Sequence, residues 1–130
     1  MSSERITLGK KGEACVADYL KTQGFSLCAQ NYQTRQGEID VIARKDELLV
    51  FVEVKIRTKT YFPLHELVPY AKQRKIIKTA FSYILTNKID EMIYRFDVAL
   101  LEISPLGSYT VTYLANAFTV PETSGNGAMY

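Results

Sequence analysis

The stretch Leu48–Arg57, LLVFVEVKIR, decides the fold, because it predicts a strand covered on both faces. Successive side chains of a strand alternate between its two faces. One face of this stretch is apolar throughout, whereas the other begins apolar and ends in three charged side chains, Glu53, Lys55 and Arg57. A strand that is apolar on both faces is typical of the centre of a sheet. We therefore expect a central strand with charges gathered at its C-terminal end.

The segment Glu38–Arg44 predicts the strand before it, again from alternation. Alternation places Ile39, Val41 and Ala43 on one face of that strand. The other face receives Glu38, Asp40 and Ile42. This strand therefore also carries carboxylates within an otherwise apolar run.

A hairpin joins these two predicted strands and brings their charges together. A turn through Lys45-Asp46 or through Asp46-Glu47 sets Asp40 opposite or diagonal to Glu53. A turn of even length places Asp40 on the same face as Glu53 and Lys55. Burying such charges costs several kcal/mol unless they are paired. We expect one acidic and basic cluster on one face of the sheet.

The remaining periodicity predicts an α/β domain in the order α-β-β-β-α-β-β. The helices are expected over Ile6–Thr22 and from near Pro69 onward, the latter with a buried stripe from Ile77 to Leu85. The other strands are expected at Phe25–Tyr32, Tyr94–Ile103 and Tyr109–Leu114, and a loop at Thr58–Glu66. Arg95 and Asp97 alternate on one strand and predict a structural ion pair. The domain spans residues 1–120, and residues 121–130 are expected to be a flexible tail.

Composition limits the class of protein. The chain has 130 residues, 47% of them hydrophobic, and a net charge of +2, which is too small to indicate nucleic-acid binding by itself. No apolar run approaches the roughly 20 residues that cross a bilayer, and no signal peptide is recognisable, so we expect a cytoplasmic protein without membrane contact. Cys15 and Cys28 predict two reduced, mostly buried thiols rather than a zinc site.

The acidic and basic cluster has the composition of a divalent-metal site. Asp40 and Glu53 would hold Mg²⁺ or Mn²⁺, and the carbonyl of Val54 would add another oxygen ligand. Lys55 would orient the attacking water or offset phosphate charge, as phosphodiester hydrolysis requires. The alternative is a cross-strand salt bridge between Lys55 and a carboxylate.

Two further carboxylates lie near this cluster in the predicted fold. Glu13 lies at the border of the apolar stripe of the first helix, from which it would reach the metal-bound water or Lys55. A solvent-exposed helical glutamate is the alternative. Glu38 shares the predicted face of Asp40 and would have an auxiliary acidic role.

A basic run opens the second helix, and it predicts a cleft wall above the acidic cluster that contacts nucleic-acid phosphates. Its members lie in two adjacent helical rows, Lys72 with Lys75 and Arg74 with Lys78. Flanking loops add further cations, Arg35, Arg57 and Lys59. Three aromatic residues would stack on unpaired bases or pack in the core: Tyr61, Phe62 and Tyr70. A solvated helix face is the alternative for the basic run.

The order of these elements and motifs resembles the PD-(D/E)XK nuclease superfamily and, more closely, the YraN-like family of small bacterial proteins. The matching stretches cover nearly the whole chain up to Phe118: Gly9–Ala14, Asn31-Tyr32, Gly37–Asp40, Val50–Arg57, Lys72–Lys75, Arg95–Val98 and Asn116–Phe118. Glu38-Ile39-Asp40 stands where many of these nucleases have Pro-Asp. The resemblance implies a restriction-endonuclease-like core, a central mixed sheet flanked by helices.

The resemblance also implies a function. Glu13, Asp40, Glu53 and Lys55 would occupy the catalytic positions of the superfamily, which includes enzymes similar to Holliday-junction resolvases. The sequence therefore predicts a metal-dependent nuclease that hydrolyses DNA phosphodiesters, in a junction or flap among other substrates. The alternatives are a module that binds nucleic acid without cutting it and a protein-interaction domain with a relic site.

Overall fold

The fold was obtained as a computed structural model, which describes residues 3–57 and 63–122. Its helices are α1 (Ser3–Thr22), the single turn α2 (Leu64–Leu67) and α3 (Tyr70–Thr86). Its strands are β1 (Ser26–Thr34), β2 (Gly37–Lys45), β3 (Leu48–Arg57), β4 (Ile93–Ile103) and β5 (Tyr109–Phe118). The predicted element order is confirmed, and α2 is a turn of helix that begins within the predicted loop and ends one residue beyond it.

The five strands form one mixed sheet in the order β1-β2-β3-β4-β5. β3 is central and runs parallel to β4, whereas the other neighbouring pairs are antiparallel. A parallel pair needs a crossover connection, which α2 and α3 supply between β3 and β4. The predicted mixed sheet flanked by helices is therefore confirmed.

Helices α1 and α3 cover opposite faces of the sheet with separate apolar clusters. Val50 and Val52 of β3 pack with Val16 and Leu20 of α1. Phe51, the next residue on the other face, packs with residues of α3 such as Ile77. The predicted burial of β3 on both faces is therefore confirmed.

Two predicted burial assignments are wrong. Ile39 packs in the α3-side cluster with Ile42, not with Val41. The paired part of β2 and β3 ends at Val41, so the strict alternation assumed from sequence does not continue to Ile39. Leu85 is 77% exposed although it continues the helical stripe, because it lies in the last turn of α3.

The predicted structural ion pair on β4 is confirmed. Asp97 is fully buried, and its carboxylate accepts two hydrogen bonds of 2.9 Å from the guanidinium of Arg95. It also accepts the Tyr113 hydroxyl at 2.5 Å and the Asn116 N–H at 2.8 Å. Burial and this contact raise the pKa of the Tyr113 phenol, and the carboxylate raises the pKa of Arg95. The network ties β5 to β4.

The two cysteines are less buried than the sequence predicted. Cys15 and Cys28 are free thiols, but Cys15 is only half-buried and Cys28 is exposed, so their predicted burial is wrong. Cys28 lies at a register irregularity of the edge strand β1, between Leu27 and Ala29. Most of the predicted tail lies outside the described residues. Within the described ranges, none of the helices is both long and apolar enough to span a membrane.

Gly12 sets how closely α1 approaches the sheet. A Cβ atom built on Gly12 would lie 2.8 Å from Cδ1 of Ile56 and 3.0 Å from Cδ2 of Leu101. Gly12→Leu is therefore expected to lower the free energy of unfolding by about 1–3 kcal/mol through overpacking. Urea denaturation would measure this change. Gly9→Leu is the matched control in the same helix, because a Cβ on Gly9 has no atom within 4 Å among the described residues. Equal stability of the two variants would contradict the close approach at Gly12.

Candidate functional site

The candidate site lies where β2 and β3 separate. The hairpin turns through Asp46-Glu47, with Lys45 paired to Leu48, which confirms one of the two predicted turns. Pairing then runs only as far as Val41 and Val52. Continued further, this register would place Asp40 opposite Glu53, as predicted from sequence. The end of the ladder instead leaves a gap between the two strands.

The Asp40 side chain closes the backbone ladder at this gap. Its Oδ2 atom accepts the N–H of Val54 at 2.8 Å, in place of a carbonyl from β2. The N–H and C=O of one strand residue point to the same side. The Val54 carbonyl therefore points toward the gap that the Asp40 carboxylate borders, as its predicted role as an oxygen ligand requires.

Glu53 is buried in this gap without a full set of partners. The residue is 5% exposed, and its Oε2 atom has no hydrogen-bond partner among the described residues. The ammonium groups of Lys72 and Lys55 lie 3.7 and 3.9 Å from Oε2, within ion-pair distance but beyond hydrogen-bonding distance. The ion pair of Lys55 with Glu53 lies within β3, so it is not the cross-strand salt bridge that was the alternative from sequence.

Burial and the neighbouring carboxylate favour the protonated form of Glu53. Desolvation, followed by the contact with Asp40, raises the pKa of Glu53 to about 8. The charges of Lys72 and Lys55 oppose this rise without cancelling it. A cation bound between the two carboxylates would reverse the balance, because it favours both ionised forms.

Glu13 approaches the same end of the sheet from α1. It is half-buried, which argues against the alternative of an exposed helical glutamate. Burial raises the pKa of Glu13, a hydrogen bond with Asn31 lowers it, and the nearby charges of Asp40 and Glu38 raise it. The structure therefore brings Glu13 toward Asp40. Glu38 itself is exposed and accepts a 3.2 Å hydrogen bond from the Gln33 amide.

The few oxygen atoms at the gap suit Mg²⁺ or Mn²⁺, which keep bound waters, better than a metal whose ligands are all side chains. Across residues 3–57 and 63–122, no three His, Cys, Asp or Glu side chains form a metal-binding group. An ion here would instead use Asp40, Glu53, the Val54 carbonyl and water. Mg²⁺ usually binds one or two carboxylates and keeps several waters. A bound ion would give the buried Oε2 atom of Glu53 the partner that it lacks among the described residues.

The predicted basic residues do not all line one cleft. Arg35, Lys72 and Lys75 line a cleft of about 480 Å³, which we call the hairpin cleft, between the β1–β2 turn and α3. Lys78 lines a neighbouring depression of about 180 Å³ with Ser82, Leu85 and Gln36, the last of which also lines the hairpin cleft.

The other predicted contacts with nucleic acid have different positions. Arg74 is exposed and is not part of the hairpin cleft, and the Arg57 guanidinium donates to the carbonyl of Ile56 at 2.8 Å. Tyr70 is 68% exposed, so core packing does not explain it. Lys59, Tyr61 and Phe62 lie outside the described residues.

Sequence reasoning missed three features of the site. The ion pair of Lys72 with Glu53 joins α3 to the carboxylates, whereas the sequence predicted a basic run above the acidic cluster without this direct pair. The contact of Asn31 with Glu13 had one signal, the Asn31-Tyr32 stretch within the family resemblance. No signal in the sequence indicated that Gln33 and Gln36 line the hairpin cleft, because glutamines are common in turns.

Comparison with known proteins assigns the chain to a family. A family model described as "Uncharacterised protein family UPF0102" matches residues 12–101. A UPF0102 protein of Clostridium botulinum (strain Loch Maree / Type A3) is 39% identical over 116 residues, which are 87% of this chain and 94% of the relative. A UPF0102 protein of Syntrophus aciditrophicus (strain SB) is 40% identical over 106 residues, 81% of this chain and 84% of the relative. The chain therefore belongs to the UPF0102 family, which confirms the YraN-like resemblance.

Proposed function

We propose that this protein is a metal-dependent nuclease that hydrolyses DNA phosphodiester bonds at the gap between β2 and β3. The observation that carries the proposal is the buried Glu53 carboxylate, whose Oε2 atom is unsatisfied beside Asp40 and two lysines. A purely structural role would not explain why a central strand buries a carboxyl group with one oxygen atom that lacks a hydrogen bond, because such a group costs free energy.

The protein groups at the gap have the chemistry that this hydrolysis needs. Asp40, Glu53 and the Val54 carbonyl would hold Mg²⁺ or Mn²⁺. The bound ion would polarise a phosphate oxygen and lower the pKa of water. The N–H of Val54 fixes the Asp40 carboxylate at 2.8 Å, so this ligand is oriented before an ion binds.

Lysine and glutamate side chains at the rim would act on the substrate and the water. Lys55 is partly exposed and lies 3.9 Å from Oε2 of Glu53, so its ammonium would offset charge on the reacting phosphate or orient the attacking water. Glu13 lies near Asp40, and Asn31 holds it there. Burial raises the pKa of Glu13, so this carboxyl would hold a proton more readily than an exposed glutamate and would exchange it with a nearby water.

Binding of nucleic acid without cleavage is the second candidate function. The cations of the hairpin cleft favour it, because Arg35, Lys72 and Lys75 would bind phosphates with no metal present. This candidate treats the Glu53 site as a relic and leaves its burial unexplained.

Cleavage assays separate the two candidates. We expect Mg²⁺ or Mn²⁺ to support cleavage of at least one substrate from a set of single-stranded, duplex, flap and junction DNA, and chelation to stop it. Binding to these substrates in the presence of either ion, with no cleavage of any of them, would contradict the nuclease proposal and favour the binding module.

A further inference from the structure

The hairpin cleft has a rigid wall on each side. One wall is the β1–β2 turn and the other is the beginning of α3. The two walls touch at Gly37, where a built Cβ would lie 3.1 Å from Oγ1 of Thr79 and 3.4 Å from Cβ of Lys75. This close approach fixes the turn against the helix. The cleft is therefore a formed feature of the fold rather than a space between loose side chains.

The chemistry of the cleft suits a polar anion. Its cations are Arg35, Lys72 and Lys75, and Gln33 and Gln36 line the same cleft. The single carboxylate in the lining, Glu38, already accepts a hydrogen bond from Gln33. Excess positive charge attracts a phosphate, and glutamine amides pair with the donor and acceptor edges of bases.

Lys72 connects this cleft to the candidate active site. It lines the cleft, and its ammonium lies 3.7 Å from Oε2 of Glu53. A ligand in the cleft would therefore lie beside the gap between β2 and β3. One substrate strand would reach both places, with a nucleotide in the cleft close to the bond at the carboxylates.

The size of the cleft favours an unpaired nucleotide. Its volume of about 480 Å³ lies within the range of about 300–1,000 Å³ that is usual for small-molecule sites. Bases in a duplex are stacked and turn their pairing edges toward each other, whereas a single strand can turn a base into a recess. Amides inside a cleft of this size would meet the pairing edge of an unpaired base only.

We propose that the hairpin cleft binds one unpaired nucleotide of single-stranded DNA next to the bond that is cut. Arg35, Lys72 and Lys75 contact its phosphate, and Gln33 and Gln36 contact its base. The proposal rests on the nuclease function for its position beside the reacting bond. The binding itself does not require cleavage, so the two are tested separately.

Affinity measurements without divalent metal test the cleft. A fluorescent single strand is expected to bind more tightly than a blunt duplex of the same length. Lys75→Glu is expected to weaken single-strand binding by about tenfold, because it reverses a charge at the phosphate. Lys21→Glu is the matched control, since Lys21 is an exposed lysine at the end of α1, on the other face of the sheet. It is expected to change the affinity far less.

A nuclear magnetic resonance titration with a deoxynucleoside monophosphate locates the site directly. Shifts are expected in the backbone amides of residues 33–38 and 72–75. Shifts confined to other parts of the protein would overturn the proposal. Equal affinity for single strand and duplex, weakened alike by Lys75→Glu, would overturn it too, because an open phosphate surface behaves in that way. Tighter binding of single-stranded RNA would overturn the assignment to DNA.

The outcomes also separate this inference from the nuclease function. If single-strand binding maps to the cleft and no substrate is cut, only the hydrolysis is wrong. If DNA is cut and Lys75→Glu binds a single strand as the unaltered protein does, only the cleft assignment is wrong.

Discussion

Asp40→Asn is expected to lower the rate of Mg²⁺-dependent DNA cleavage by roughly a hundredfold or more, since it removes a charge from the site where reaction charge develops. The substitution is nearly isosteric, and the amide oxygen of asparagine would still accept the N–H of Val54, now 2.8 Å from Oδ2. The local backbone should therefore be preserved. Initial cleavage rates measured at several Mg²⁺ concentrations would test this expectation.

Asp46→Asn is the matched control for this experiment. Asp46 lies at the exposed turn of the same hairpin, with a φ of 54°, a conformation that asparagine tolerates well. We expect the control to cleave DNA at the rate of the unaltered protein. A normal rate in Asp40→Asn would show that Asp40 has no part in the reaction. A loss in both variants would point to folding of the hairpin rather than to chemistry.

The second large effect is expected on the free energy of unfolding. Most substitutions of buried residues lower it, whereas this one is expected to raise it. In the metal-free protein, Glu53→Gln should raise the free energy of unfolding at about pH 9 by on the order of 4 kcal/mol. The reason is that burial and Asp40 raise the pKa of Glu53 to about 8, so the ionised form costs free energy in the folded state. Glutamine keeps the shape of the side chain without the charge.

The gain in stability of Glu53→Gln is expected to depend on pH. The folded state holds the Glu53 proton more tightly than the unfolded state, whose pKa is near 4.5. Between about pH 4.5 and about pH 8, the stability of the unaltered protein should therefore fall as the pH rises, and it should change little from this cause outside that window. The advantage of Glu53→Gln should grow over the same window. Urea denaturation from pH 5 to pH 9 would measure it.

Two controls sharpen the stability experiment. Glu47→Gln, at the exposed turn before β3, should show no such pH-dependent gain. Mg²⁺ should stabilise the unaltered protein by mass action and should stabilise Glu53→Gln much less. A loss of stability in Glu53→Gln at every pH would mean that the ion pairs with Lys55 and Lys72 outweigh the cost of burial, which would contradict our account of the site.

The sequence predicted the centre of the fold well because β3 carries two independent signals. Its apolar faces predicted a central strand, and the charges at one end predicted the position of the site. The sequence allowed two turns for the hairpin between β2 and β3, and the observed register has the one through Asp46-Glu47. Local pattern was sufficient in these places because the side chains alternate strictly along a paired strand.

Prediction failed where tertiary contacts override local pattern. Ile39 packs on the α3 side rather than with Val41, because the ladder between β2 and β3 ends before it. The periodicity of the sequence does not show where a ladder ends. Likewise, the basic run of α3 had a regular pattern, but only the packing of the helix against the β1–β2 turn places Lys72 and Lys75 in the hairpin cleft and Lys78 in the neighbouring depression. The long-range pair of Lys72 with Glu53 is a product of the same packing.

The most direct measurement is a crystal structure of the protein soaked with Mn²⁺, with the ion located by its anomalous scattering. We predict one ion at the gap between β2 and β3, bound by carboxylate oxygens of Asp40 and Glu53 and by the Val54 carbonyl. An occupied site elsewhere, or Glu53 still buried beside its lysines with no ion at a saturating concentration above pH 8, would contradict the metal-dependent site.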